Sequence, residues 1–132
     1  MSRFFKIGVC LIFVIACGAV VRAETMVKEE AALAAAVNWL TMVDEGKYSE
    51  SWQAAAGYFR NAIKQEQWDE MLKAYRLPLG KLVSRNVKSK IYKTSVPGAP
   101  DGEYVVIQFE TSFKNKKEAT ETVTPMMEGD GK

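Results

Sequence analysis

Between Lys28 and Glu45 the apolar positions Leu33, Ala36, Val37, Leu40 and Val43 return at spacings of three and four in an Ala-rich segment. That period places them on one face of a first helix, and the alanines favour the helical state. Gly46 supplies a C-terminal stop, and Ser49 is placed to cap a second helix with Glu50 in its first turn, where the helix dipole favours an anion. Trp52, Ala55, Ala56, Phe59 and Ile63 form the stripe that this helix would bury. Gln65 to Tyr75 repeats the pattern with Trp68, Met71, Leu72 and Tyr75, as a third helix or as a continuation of the second across Asn61 and Lys64, until Pro78 and Gly80 end it. Trp39 lies at the edge of the first stripe. Aromatics at helical spacing read as core rather than as a cofactor box.

After Gly80 the period changes. Tyr104 to Phe113 alternates, with Val105, Ile107, Phe109, Thr111 and Phe113 on one face and Tyr104, Gln108, Glu110 and Ser112 on a mostly polar one. Lys81 to Val96 reads as a longer strand whose apolar Val83, Val87 and Ile91 break the two-residue period, so a bend or bulge is expected. The turn-forming run Pro97-Gly98-Ala99-Pro100-Asp101-Gly102 makes the two strands an antiparallel hairpin. Asn115 to Lys117 is a tight connection into a third strand, Ala119 to Met127, rich in Thr and Val. Glu128 to Lys132 has the composition of the turn of one more hairpin with no strand after it, so either the sheet ends on an unpaired edge at Thr120 to Met127 or the sequence is a shortened product of a longer one. The expected fold class is α+β: two or three N-terminal helices packed on a curved antiparallel sheet that lacks its last strand.

The first 23 residues belong to neither layer. Arg3 and Lys6 precede an apolar run from Ile7 to Val21, and Val21-Arg22-Ala23 offers a signal-peptidase site, so residues 1–23 are expected to be an export signal cleaved after Ala23, with residues 24–132 as a single domain. The run is too short for a comfortable transmembrane helix, which places a permanent anchor behind cleavage. Val14-Ile15-Ala16-Cys17 resembles a lipobox, so lipidation of Cys17 is the alternative; the apolar continuation Gly18 to Val21 ranks it second. The expected address is periplasmic or secreted, or membrane-tethered through Cys17.

Composition then narrows the chemistry. The chain has 132 residues with 18 Lys+Arg, 16 Asp+Glu, no His and two Cys, which is room for one small domain. Cleavage would remove Arg3, Lys6, Arg22 and both cysteines, Cys10 and Cys17, leaving 15 basic against 16 acidic residues and no disulfide. That balance lacks the basic excess of a nucleic-acid binder. Without His or a mature Cys, thiol catalysis, His-based triads and Cys/His zinc sites are excluded. No Asp-x-Asp-x-Asp loop or glycine-rich phosphate loop occurs, so neither metal nor cofactor is expected.

Trp39-Leu40, Asp44, Gly46, Ser51-Trp52, Ala55-Ala56, Phe59, Trp68, Arg76-Leu77-Pro78-Leu79-Gly80 and Ser84-Arg85 form one recognisable string. Pro97 to Tyr104, Phe109-Glu110-Thr111-Ser112-Phe113, Lys116 and Glu121-Thr122-Val123 form another. Together they resemble the bacterial family called domain of unknown function 4019, over nearly all of the chain after residue 23. The resemblance implies helices first and a curved antiparallel sheet after, akin to the nuclear-transport-factor-2-like cone fold, and it implies a final strand with a Trp-Arg pair that is absent here. It supplies no reaction.

The charged members of the family-like blocks, Arg76, Arg85, Glu110, Lys116 and Glu121, with the Tyr104 hydroxyl, are the candidate binding residues; no catalytic residue is assigned. The leading expectation is a non-enzymatic domain that binds a small ligand or a protein partner. One alternative is an enzyme using a carboxylate with Tyr104 as an acid–base pair in a cone-shaped pocket. The other is an envelope interaction module whose basic strip, Lys81, Arg85, Lys88, Lys90 and Lys93, meets an anionic component.

Overall fold

The computed structural model describes residues 17–127. Their order is α1 (Cys17–Asp44), α2 (Tyr48–Gln53), α3 (Gly57–Ala62), α4 (Gln65–Arg76), a 3-10 turn (Leu77–Leu79), β1 (Leu82–Lys93), β2 (Tyr104–Phe113) and β3 (Lys116–Val123). The fold is α+β, helices first and a three-stranded antiparallel sheet after. The Ile7 to Ala16 part of the apolar run and the Glu128 to Lys132 turn lie outside the described residues.

Within the described residues helix α1 already runs from Cys17, ahead of the expected Lys28, with Ala19, Arg22, Ala23, Glu24 and Met26 as the strong helix formers of the added stretch. Its inner face carries Ala32, Leu33, Ala36, Trp39, Leu40 and Val43. Val37, expected on that stripe, is 42% exposed, since it sits at the margin of the face that the sheet covers. Gly46, at φ 80, closes the helix: its N–H donates to the Val43 carbonyl at 3.1 Å and that of Lys47 to Met42 at 2.8 Å.

The expected second helix is broken in two. Ala56 is extended, at φ −62 and ψ 149, between α2 and α3. Side chains take over carbonyls at the break: Arg60 Nη1 donates to the carbonyls of Ala55 and Gln53, and Trp52 Nε1 donates to the carbonyl of Ile63 at 2.8 Å. Lys47, not Ser49, is the residue preceding α2, and Ser49 Oγ donates to Asp69 Oδ2 on α4 at 2.7 Å. Helix α4 is separate from α3, and the Gln67 side chain accepts the Lys64 N–H at 3.2 Å across its first turn. It turns Trp68, Leu72 and Arg76 inward, while Met71 and Tyr75, the latter 60% exposed, face out, contrary to the apolar stripe. An inward arginine at the end of that row rotates the buried face away from the one that hydrophobicity alone marks.

In the sheet β2 is central, pairing with β1 and β3. Val105, Ile107, Phe109, Thr111 and Phe113 are buried, as their alternation requires. Ala36 and Leu40 pack on Val105, Ile107 and Phe109, with Leu33, Trp39, Tyr92 and Val123 around them. The register of β1 on β2 shifts between Leu82 and Ser84 and between Val87 and Ser89, which are the irregularities expected of that strand. Regular pairing of β3 runs from Lys116 to Val123 rather than Ala119 to Met127, because Lys116 already pairs with Phe113 across the turn and Pro125 has no N–H for a ladder. Met126 makes an isolated bridge back to Tyr104. Among the described residues the outer edge of β3 has no strand partner.

The turn after α4 fixes the β2–β3 connection. The Asn115 N–H donates to the Leu79 carbonyl at 2.9 Å, Asn115 Nδ2 to Pro78 at 3.0 Å and the Lys114 N–H to Lys81 at 2.8 Å. Gly80 has φ 80, and a Cβ there would stand 2.9 Å from Asn115 Nδ2. Gly80→Ala is therefore expected to destabilise the domain by about 1–2 kcal/mol, read as a lower urea midpoint at unchanged slope. A neutral result would mean that the two turns are not held together.

Candidate functional site

Three of the six candidate residues meet at one place. Arg76 from the end of α4, Arg85 from β1 and Glu121 from β3 converge on Asp44, the last residue of α1. Arg85 Nε and Nη2 hold Glu121 Oε1 and Oε2 at 2.7 and 3.1 Å in a side-on fork. Its Nη1 and Nη2 reach Asp44 Oδ2 and Oδ1 at 2.7 and 3.0 Å, and Arg76 Nη2 adds a bond to Oδ1 at 2.6 Å. Thr111 Oγ1 donates to Glu121 Oε1 at 2.6 Å, and the Arg76 guanidinium lies 5.0 Å from the centre of the Phe113 ring.

Burial alone would raise the pKa of Asp44, but the hydrogen bonds from Arg85 and Arg76 outweigh it and hold the carboxyl below its ordinary value. Burial likewise works against the Arg85 cation, and its bonds to Asp44 and Glu121 raise its pKa instead. Two cations face two carboxylates, and all four carboxylate oxygens accept at least one bond. Such a cluster clamps α1, α4, β1 and β3 together and keeps no free base for catalysis.

The other three candidates are elsewhere. Glu110 is exposed on the opposite face of β2, across from Asn86 and Thr120, as its parity against Thr111 dictates. Lys116 is exposed at the start of β3. Tyr104, expected on a polar face, is buried beneath the hairpin loop, its hydroxyl donating to the Pro100 carbonyl and its ring beside Gly102. Asp44 and Thr111 were not among the candidates; Asp44 stood in the family-like string, and Thr111 was counted with the apolar face. The basic strip is divided as well: Arg85 is inside the clamp and Lys90 Nζ pairs with Glu30 at 2.5 Å, which leaves Lys81, Lys88 and Lys93 exposed.

A second ion pair ties α1 to the hairpin. Lys28 Nζ lies 2.6 Å from Glu103 Oε1 and 5.2 Å from the centre of the Tyr92 ring, while Tyr92 donates its hydroxyl to Glu103 at 3.1 Å. The bond from Lys28 holds the Glu103 carboxyl below its ordinary pKa.

A feature with room for a ligand also lies along α1. A half-open groove of about 870 Å³ separates the helices from β3. Trp39 of α1, Phe59 and Arg60 of α3 and Trp68 of α4 form one wall, and the stretch Val123 to Met126 forms the other. The Trp39 and Trp68 ring centres are 5.9 Å apart, and Phe59 meets Trp68 edge to face at 5.1 Å. Both indole N–H groups are engaged inside the protein: Trp39 Nε1 donates to the Ser51 carbonyl at 2.8 Å and Trp68 Nε1 to Ser51 Oγ at 2.9 Å. The carbon edges and faces that those contacts leave line the groove. Ser51, fully buried, donates its hydroxyl to Tyr48 at 2.6 Å and so fixes both rings. Sequence reasoning gave Trp39, Phe59 and Trp68 to the core, and no spacing in the chain marks a cavity whose walls come from five elements.

Among the described residues no cluster of His, Cys, Asp and Glu could hold a metal ion, and no helix is long and apolar enough to cross a membrane. The molecule is thus a small helix-plus-sheet domain with an ion clamp at one end of α1 and an apolar groove beside it. The family model described as Protein of unknown function (DUF4019) matches residues 35–132, and the chain belongs to that family. No curated protein and no solved structure matches it.

Proposed function

We propose that this protein is an exported, non-enzymatic binding domain, periplasmic or secreted, that holds a small apolar ligand in the groove between its helices and β3. The groove carries the reading: it is walled by Trp39, Phe59 and Trp68, whose polar atoms are turned away, and its volume suits a small molecule. The carboxylate–tyrosine enzyme has less support, since Glu110 is exposed on the far face of β2 and the Tyr104 hydroxyl is engaged by Pro100. The envelope module loses Arg85 and Lys90 from its strip to internal ion pairs.

The uncharged fluorophore N-phenyl-1-naphthylamine tests the binding reading. It is expected to bind saturably, to take up excitation from Trp39 and Trp68, and to bind more weakly to Met126→Asp, which puts a charge into the wall. Absence of saturable binding would remove the proposal. Export is tested by intact mass: a chain from Glu24 to Lys132 in the envelope fraction of the host supports cleavage after Ala23, and an acylated product starting at Cys17 replaces it with a lipoprotein.

A further inference from the structure

We infer that the ligand of this groove is an amphiphile with an apolar chain and one carboxylate, the chain lying along Trp39, Phe59 and Trp68 and the carboxylate held by Arg60. The inference rests on the groove as the binding site and adds the chemistry of what enters it. Among the described residues Arg60 is the one charged residue in the lining, and it gives that part of the groove a positive charge. Its guanidinium is held in place from one end: Nη1 donates to the carbonyls of Ala55 and Gln53.

Within the described residues Nε and Nη2 of Arg60 make no hydrogen bond. Those two nitrogens form the side-on edge of the guanidinium, which matches the two oxygens of a carboxylate. The same chain displays the match: Arg85 grips Glu121 through Nε and Nη2. Arg60 thus offers, beside an aromatic apolar wall, the donor pair that binds a carboxylate elsewhere in the molecule. Among the described residues the lining contains no acidic side chain to compete for it. A ligand with a neutral head would leave the fork to water, and one without a chain would leave the aromatic wall wet.

Displacement of N-phenyl-1-naphthylamine by decanoate and by decanol, both below micelle-forming concentrations, separates the two halves of the argument. Decanoate is expected to displace the fluorophore at about tenfold lower concentration than decanol, the value of a charge-assisted bidentate bond at a half-open site. Arg60→Gln should remove that preference, read as the ratio of decanoate to decanol displacement within the variant, because Nη1 also holds the Ala55 and Gln53 carbonyls. Where Arg60→Gln also weakens decanol, the loop held by Nη1 has moved, and Arg60→Lys decides: with the charge kept and the fork removed, the preference should shrink to about threefold or less. Equal displacement by decanoate and decanol in the unaltered protein overturns the carboxylate and leaves the groove as an apolar site. A full preference surviving in Arg60→Lys overturns the fork, and failure of both compounds to displace the fluorophore removes the groove as their site.

Discussion

Arg85→Met is expected to lower the free energy of unfolding by about 3 kcal/mol and the melting temperature by about 15 °C. The substitution preserves the packing of the side-chain stem and deletes the guanidinium that serves two carboxylates at once. Glu121 would keep the Thr111 hydroxyl and Asp44 would keep Arg76, so the loss falls at the low end of the range for opening a buried ion cluster. Arg85→Lys retains the charge without the fork and should recover only part of it.

The same cluster makes stability depend on acid. The Asp44 pKa is depressed by folding from an ordinary 3.8, so its contribution is complete above that value and disappears as pH falls through the lower folded value. Glu103, lowered from 4.5 by Lys28, acts in the same direction. Urea midpoints should therefore fall below about pH 4.5, and Asp44→Asn should be less stable at neutral pH and flatter on the acid side. A wild-type midpoint constant down to pH 3 would mean that the carboxylates are as well solvated in the folded chain as in the unfolded one.

What the sequence made legible follows from the range of each signal. The alternation of Val105 to Phe113 reports a local period, and the structure keeps it residue by residue. The bulges of β1 were legible in the same way, from the failure of Val83, Val87 and Ile91 to alternate. The helix stripes were read one residue too wide at Val37 and a quarter turn off at Met71 and Tyr75, because a period defines an apolar face and leaves open which part of it a neighbour covers.

The break between α2 and α3 was not legible, since Arg60 and Trp52 hold it through carbonyls that become partners only after the chain has folded. Arg76, Arg85, Glu121 and Asp44 all stood in the family-like blocks, yet Asp44, which joins the two arginines, was left out of the candidates because a carboxylate at a helix C-terminus carries no local sign of its partners. Parity along β2 already put Glu110 on the face opposite Thr111, so its separation from the clamp was available from period two alone. The groove was beyond reach: Trp39, Phe59 and Trp68 have the pattern of a core, and whether such a wall is covered depends on the packing of five elements.

Phe109→Ala should cost about 4 kcal/mol. Phe109 is 1% exposed on the central strand, with Ala36 and Leu40 of α1 above it and Val87 and Glu121 as its neighbours across the sheet. It is flanked on β2 by Ile107 and Thr111, so the cavity left by the ring is bounded by a strand paired on both sides and cannot collapse readily. Because Glu121 pairs directly with Phe109, the loss should also loosen the clamp, and Phe109→Ala with Arg85→Met should be less damaging together than the sum of the two. Val37→Ala, on the exposed margin of α1, should stay within about 0.5 kcal/mol of the unaltered protein. Additive losses in the double variant would show that sheet core and ion clamp are separate units. Coupling of about 1 kcal/mol would show that burial of one phenylalanine holds the carboxylate in place to receive its arginine.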